Sequence, residues 1–455
     1  MKLGVIILAA GQGTRMRSSL PKVLHPLAGR PMLGHVLDTA HALEASRVCV
    51  VYGHGGDRVR EAMSSHRCDW ALQAEQHGTG HAVMQAMPQM AEADRLLILY
   101  GDVPLIRAET LRALIADAAG TALGLLTVIL ENPTGYGRIV RDGDGRVLRI
   151  VEHKDASEAE LEIDEVNTGF LVADRARLAD WLSRIDKGNT QGEYYLTDVV
   201  ALAVSDGISI STSQTDTVEE VSGINDRIQL AALERWLQRR RAETLMRAGV
   251  TLCDPARVDI RGRLRAGQDV TIDVNAVFEG EVELGEGVTI GPNCWLKDCS
   301  IGRDTQVFAN SVIEGARVGA EARIGPFARL RPQAVLAPRV HVGNFVEIKK
   351  AEVGVGSKVN HLSYVGDARV GSGVNIGAGT ITCNYDGANK HLTEIGDGAF
   401  IGSNTSLVAP VAVGDGATIG AGSVIGHEAP AGKLTVARAR QTTVENWVRP
   451  TKKPT

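Results

Sequence analysis

Aromatic side chains are scarce: Phe, Trp and Tyr together make up 4% of the 455 residues, so rings cannot fill most of the interior. Cysteine is thin too. Its six positions (Cys49, Cys68, Cys253, Cys294, Cys299 and Cys383) form no CxxC pair and no disulfide-like framework. A disulfide scaffold is excluded, and reduced thiols in a cytoplasm are expected. Positive charge is not in excess either: the formal net charge is −5, which gives no general case for nucleic-acid or membrane binding. Any anionic ligand must then be held by local cations, backbone N–H groups or a metal. No uninterrupted apolar stretch is long enough to span a bilayer. The opening "MKLGVIILAAGQG" has too short an apolar run for a signal peptide. A soluble cytoplasmic protein is expected.

Glycine, in contrast, is abundant at 51 residues, so small and β-branched side chains carry much of the packing. The length exceeds one ordinary core and predicts two or three domains. In the first half, "LGVIILAA", "VCVVYG", "LLILYGD" and "LGLLTVIL" read as strands. Between them lie helical stretches such as "HVLDTAHALEAS" and "TGHAVMQAMPQM". This alternation predicts a mostly parallel sheet covered on both faces. Ligands of such sheets bind outside the carboxyl ends of the strands, where "LAAGQG" and "LYGDVP" fall. From Ile224 to Gly249 one long helical pattern follows, capped by Asn225 or Asp226 and closed by Gly249.

The pattern then changes. Aliphatic–glycine pairs recur in hexapeptide phase, from Leu284-Gly285 and Ile290-Gly291 through Val342-Gly343 and Ile376-Gly377 to Ile419-Gly420. That period is the mark of a parallel β-helix with three short strands per coil. "TCNYDGANKHLTE" (Thr382 to Glu394) breaks the phase and is expected to leave the coil as a loop. After "GHEAPAGKLTV" the repeats stop and an irregular tail begins.

Glycines after a strand and before a helix suggest an anion-binding turn. Yet Met16 stands where GxGxxG needs its third glycine, and GxxxxGK[ST] is absent. A tight structural turn is an equal reading of the glycines alone. The cations Arg15 and Lys22 in the same loop tilt the balance toward phosphate. "HGTGH" sets His77 and His81 four apart, as on a zinc helix, but the intervening Gly-Thr-Gly argues against a helix there.

The string "LAAGQGTRMRSSLPK" resembles the signature of sugar-nucleotide pyrophosphorylases. Together with the hexapeptide half, the whole chain resembles the bifunctional bacterial N-acetylglucosamine-1-phosphate uridyltransferase / glucosamine-1-phosphate acetyltransferase family. "QAEQHGTGHA", "LYGDVPL", "PTGYGRI", "VEHKDA", "RIGPFARLRP", "HVGNFVEIKKA" and "GAGTITCNYDGANKH" carry the likeness. It implies an α/β, Rossmann-like nucleotidyltransferase domain (residues 1–227), a linker helix (228–248) and a left-handed parallel β-helix with C-terminal tail (249–455). It also implies Mg²⁺ as cofactor, UTP and acetyl-CoA as co-substrates, a homotrimer, and a product that feeds peptidoglycan and lipid A synthesis.

By the same resemblance, Asp102 and Asn225 hold Mg²⁺, and Arg15 and Lys22 hold phosphates. Leu8, Ala9, Ala10, Gly11, Gln73, Gly78 and Thr79 form the uracil side. Tyr100, Gly101, Gly137, Glu152 and Asn167 complete the UTP and UDP-sugar set. In the second half His361 is implied as general base, with Glu347 able to orient it. Arg331, Lys349, Tyr364 and Asn375 are expected around glucosamine 1-phosphate, gathered on one face by stacked coils. Ala378, Asn384, Tyr385, Ser403, Ala421 and Arg438 are expected against acetyl-CoA. The tail departs from the family pattern around "ARARQ", where a Pro usually follows. The alternative is a pyrophosphorylase whose β-helix is only an oligomerisation scaffold. A repeat-based binding protein would leave the Gly11 loop and Asp102 unexplained.

Overall fold

The computed structural model describes residues 2–53 and 55–452. The chain forms two compact units, Met1–Leu237 and Gln238–Thr455.

The first unit is built on the strand Leu3–Ala9. Its odd residues Val5 and Ile7 enter one core and its even residues Ile6 and Leu8 the other, so both faces are covered. An all-apolar run is what such a doubly buried strand requires. Helix Met32–Ala42 packs on the first face and helix Thr79–Ala86 on the second. The strand order is Ile210–Gln214, Leu123–Ile129, Glu165–Asp174, Arg95–Tyr100, Leu3–Ala9, Arg47–Tyr52, Asp69–Leu72. The sheet is mixed rather than wholly parallel, because Glu165–Asp174 runs antiparallel to both neighbours. Its chain arrives from the hairpin Arg138–Arg141/Val147–Val151, not from a crossover helix, and so returns in the opposite sense. The helix at "TGHAVMQAMPQM" is shorter than its pattern. It gives way to a 3₁₀ turn at Met87–Met90, where Pro88 supplies no N–H.

Helix Arg227–Arg247 follows, and the division between the units falls within it. Asp226 Oδ1 caps its start, accepting from the N–H groups of Ile228 (2.9 Å) and Gln229 (2.8 Å). Gly249, at φ 98°, ends the run.

In the second unit short strands stack in parallel, coil on coil. One ladder climbs from Thr251–Leu252 through Thr289–Ile290, Arg323–Ile324 and Lys358–His361 to Leu434–Thr435. Ile272, Ile290, Ile324, Val342, Val359, Ile401 and Ile419 point inward from it, all essentially inaccessible, and join a single core along the unit. At one corner of each coil a residue takes the left-handed conformation. Asn275, Asn293 and Asn310 do so first and link their amides in a ladder at 2.9 and 3.2 Å. Asn tolerates this conformation best among residues with a Cβ. Phe327, Phe345 and Leu362 occupy the same corner in later coils, exposed, with the two rings stacked at 5.2 Å.

The break in the repeats is narrower than Thr382 to Glu394. Ile381–Cys383 and Thr393–Ile395 both remain strands of the coil, and only Asn384 to Leu392 leaves it. Thr382 is held because its buried hydroxyl bonds Gly366 N–H at 2.8 Å and Gly366 O at 3.0 Å. Beyond Thr435 the described residues of the tail carry no strand and are exposed. Its last three residues lie outside the described set. Because each inward aliphatic side chain is shared by the coils above and below, Ile324→Ala should destabilise the second unit by about 2–5 kcal/mol. Chemical denaturation of the full chain, followed by far-UV circular dichroism, measures this as a lowered midpoint of that unit's transition.

Candidate active sites

Strands Leu3–Ala9 and Arg95–Tyr100 end side by side, and Gly101 N–H donates to Leu8 O at 2.9 Å. There the ladder stops. Ala10, Gly11 and Asp102 project from the carboxyl edge of the sheet. The loop after Gly11 folds back so closely that a Cβ on Gly13 (φ 62°) would lie 2.5 Å from Lys22 Cβ. Glycine is what lets Lys22 pass beneath it. Lys22 Nζ pairs with the Asp102 carboxylate and donates to Asn225 Oδ1 at 2.8 Å. Arg15 Nη2 donates to the same amide oxygen at 2.9 Å. Two cations, one carboxylate and one amide, far apart in sequence, thus meet at one point. The Asp102 and Asn225 oxygens both reach a single ammonium, so they can serve one hard cation. Among the described residues no cluster of three or more His, Cys, Asp or Glu could hold a metal. An ion here would take one carboxylate and one amide from the protein and the rest from water and phosphate, which suits Mg²⁺.

Across the turn, Gln73 is buried and donates to Gly78 O at 3.1 Å. Gly78 has φ 104°, and a Cβ there would sit 2.5 Å from Tyr194 O. Thr79 Oγ1 accepts from Leu196 N–H at 3.1 Å. Gln76, which the motif did not single out, joins the two walls. It donates to Ala10 O at 3.3 Å and accepts from Gln12 at 3.0 Å. The His77 and His81 rings lie 5.2 Å apart, but the helix begins only at Thr79. His77 is held by Glu75 at 2.7 Å, and His81 by Gln73 and Gln85, each at 3.1 Å.

Gly137, Glu152 and Asn167 also come together. Asn167 N–H donates to Gly137 O at 2.9 Å, and a Cβ on Gly137 would be 3.5 Å from the Glu152 carboxylate. Tyr100 lies against Gly169, whose N–H donates to Asn167 Oδ1 at 3.1 Å, so the ring connects this group to Asp102. Burial, then the charges of Glu152 and Asp102, push the Tyr100 phenol up. Burial also raises the Glu152 carboxyl, opposed by a 3.0 Å bond from Thr197 Oγ1. Asp198 is raised to about 6, by burial first and then by Asp186, Glu152 and Asp155. Thr197 and Asp198 close the string "QGEYYLTD", which shares in the family likeness, but the sequence reading gave neither a role.

In the second unit His361 ends the strand Lys358–His361 at a corner, exposed. Its Nδ1 meets Asn344 Oδ1 at 2.8 Å. With the amide oxygen as acceptor, Nδ1 carries the proton and Nε2 is left as the basic nitrogen. Glu347, expected to orient the ring, is held instead by Arg331 at 2.9 Å and by Arg329. The register explains the exchange: Asn344 pairs with His361, whereas Glu347 pairs with Tyr364 past the corner. The expected single face is likewise two. Arg331, Lys349 and Tyr364 lie on one side of the corner, while Asn375 pairs with Lys358 on the other. His361 and Tyr364 end and begin strands of different ladders, so residues three apart here change face.

The same corner continues upward. Gly379 N–H donates to His361 O, Asn404 N–H to Ala378 O (2.7 Å), Gly422 N–H to Ser403 O (2.8 Å), and Arg438 Nη1 to Ala421 O (2.6 Å). Ala378, Ser403, Ala421 and Arg438 therefore form a column above His361, small residues with a guanidinium at its end. Asn384 and Tyr385 open the loop on the adjoining face. Asn384 is buried and Tyr385 exposed. Asn384 Nδ2 lies 3.4 Å from Tyr364 Oη.

Residues 5–153 match the family model of MobA-like NTP transferase domains, residues 260–362 that of GMPPB C-terminal domains, and residues 392–427 that of bacterial transferase hexapeptides. The hexapeptide match, on in-register parallel coils, identifies the second unit as a left-handed parallel β-helix. Three relatives named bifunctional protein GlmU align over nearly the full length. That of Marinobacter nauticus is 58% identical over 450 residues, covering 99% of each chain. That of Bordetella petrii is 60% identical over 455 residues, covering 99% of this chain and all of its own. That of Stutzerimonas stutzeri is 57% identical over 453 residues, covering 100% of both. With both units matched at such identity, the chain belongs to the family of the bifunctional protein GlmU.

Proposed function

We propose that residues 1–227 transfer a uridylyl group and residues 249–455 an acetyl group, joined by the linker helix 228–248. The chain is a bifunctional transferase. It acetylates glucosamine 1-phosphate with acetyl-CoA, then joins N-acetylglucosamine 1-phosphate to the UMP moiety of UTP with loss of pyrophosphate. The product, UDP-N-acetylglucosamine, serves peptidoglycan and lipid A synthesis. The observation that carries this reading is that each unit holds its own polar centre. Lys22, Arg15, Asp102 and Asn225 form the first, and the oriented pair His361–Asn344 the second. A β-helix acting only as a scaffold needs no imidazole fixed by an amide at a corner.

In uridylyl transfer an oxygen of the sugar phosphate forms a bond to the α-phosphorus of UTP while the bond to the β-phosphate bridge breaks. Several negative charges converge, so charge neutralisation and in-line placement dominate. Arg15 and Lys22 hold the phosphates, Arg15 toward the departing pyrophosphate. Leu8 to Gly11 with Gln73, Gly78 and Thr79 receive the uracil, and Gly137, Glu152 and Asn167 the sugar, with Tyr100 and Gly101 between. Asp102 and Asn225 would hold Mg²⁺, which supplies further positive charge at the phosphates. Asp102→Ala should lower uridylyl transfer by roughly two orders of magnitude or more and spare acetyl transfer. Pyrophosphate release at limiting Mg²⁺ checks it; an unimpaired rate would remove the metal assignment.

In acetyl transfer the substrate amine attacks the thioester carbonyl, the C–S bond breaks, and the amine proton passes to His361 Nε2 and on to the departing thiolate. Arg331, Lys349, Tyr364 and Asn375 bind the sugar phosphate around the corner. The column Ala378, Ser403, Ala421, Arg438, with Asn384 and Tyr385, takes acetyl-CoA. His361→Ala should cost roughly two to four orders of magnitude in CoA release and leave uridylyl transfer intact. The residual rate should rise with pH as more substrate amine is neutral; a pH–rate profile unchanged from the parent would remove His361 from the mechanism.

The protein acts in the cytoplasm, as its free cysteines suggest; among the described residues no helix is long and apolar enough to cross a membrane. It assembles as a homotrimer, with acetyl sites completed by neighbouring chains. The exposed Phe327, Phe345 and Leu362 beside the His361 column, and the apolar Trp447 and Val448 of the tail, support association. Light scattering should give three times the chain mass. A monodisperse monomer still active in acetyl transfer would refute the shared site.

A further inference from the structure

Asp367 belongs to none of the sets named so far. It lies at a corner where successive coils turn in the left-handed region: Gly280, Asp298, Gly315, Gln333, Lys350 and Asp367. In the coil above, that corner is replaced by the loop Asn384 to Leu392, so Asp367 is the last corner residue beneath the loop. The two aspartates of this column behave differently. Asp298 is exposed and accepts from the backbone N–H of Glu281 at 3.0 Å, a structural turn contact. The Asp367 side chain is only 8% exposed and accepts from the side chain of Asn384, the first residue of the loop. It also faces Lys349 at 3.6 Å and Lys350 at 3.5 Å. Lys390, from the same loop, lies beside Lys349, and its hydrogen bond with that ammonium, then the like charge, push the Lys390 ammonium down. One buried carboxylate therefore pairs with two ammonium groups, with a third nearby.

We propose that Asp367 is a positioning residue of the acetyl-transfer site, fixing the Asn384 amide and the Lys349 ammonium relative to each other. The proposal rests on the acetyl-transfer reading of this unit. A carboxylate only accepts hydrogen bonds, so Asn384 must turn Nδ2 toward Asp367 and Tyr364. Its Oδ1 is thereby directed away from them, as an acceptor for an N–H of the pantetheine arm. Lys349 is held over the phosphate of the sugar by the same carboxylate, against repulsion from Lys350 and Lys390. Asp367 thus joins the acetyl-donor side of the site to the acceptor side without touching either substrate.

The test is steady-state acetyl transfer by the full-length protein with glucosamine 1-phosphate and acetyl-CoA. Asp367→Asn keeps the shape but loses the charge and the fixed amide orientation. It should raise KM for both substrates roughly tenfold or more, with kcat less affected and uridylyl transfer unchanged. Asn384→Asp sets two carboxylates against each other and should be worse. Combining the two restores one acid and one amide, so the double variant should regain a KM for glucosamine 1-phosphate well below the product of the single effects. This comparison also serves where a single variant folds poorly, since circular dichroism would then show the double variant refolded. Parental KM values in Asp367→Asn, or strictly additive effects in the double variant, would overturn the role of Asp367. Absence of acetyl transfer in the parent would overturn the activity itself.

Discussion

The hydrogen bonds of a parallel ladder hold each strand at a fixed height against its neighbour, and the residues proposed to handle ligands gather where those bonds stop. In the first unit the pairing of Leu3–Ala9 with Arg95–Tyr100 ends at the bond from Gly101 to Leu8, and Ala10, Gly11 and Asp102 follow at once. In the second, each coil repeats its pairing to the end of the strand and then turns, and His361 stands at such a turn. A free backbone end is a polar surface that must be satisfied. At both places side chains and loops gather around it. The chemistry is therefore placed by backbone register more than by side-chain packing.

This is why the two units, so unlike in architecture, solve the same problem of precision. A residue such as Asn225 reaches the first site only because helix Arg227–Arg247 is capped immediately after it, at Asp226. Asn344 reaches His361 only because it lies one coil below in register. Each is a neutral amide that orients a charged or basic group. An amide offers directional hydrogen bonds without adding a charge that would need its own partner.

Much of this could be read from the residues. The six-residue phase of aliphatic–glycine pairs placed inward residues of the ladder from Ile290 to Ile419, since a side chain either enters the core or does not. The pair Asn225-Asp226 and Gly249 marked the ends of the long helix because capping chemistry is local, and Asp226 proves to be the cap. What escaped was what depends on distant register. Nothing in "HVGNF" distinguishes Asn344 from a turn asparagine, whereas its offset of one coil from His361 does. Glu347 was drawn to the imidazole by its charge, but a corner intervenes and Arg331 claims it. Thr382 looked like part of a loop because the phase breaks after it, yet its hydroxyl belongs to the coil. Gln76 was hidden inside a motif whose other residues drew attention, and only the approach of Ala10 O gives it a role. Glu165–Asp174 was not among the strands read from the sequence, and its direction follows from the hairpin before it.

The loop from Asn384 to Leu392 enters and leaves at one corner, and the strands on either side keep their partners: Ile381 still pairs with Tyr364, and Thr393 with Ala368. Chain can be added at that point without shifting the height of anything above it. A coil of this kind therefore separates two sorts of change in length. Residues gained within a strand would turn every later side chain to the wrong face, while residues gained at a corner only lengthen a surface segment. The molecule can thus acquire new surface elements by growth at its edges while the columns of its coil stay in place.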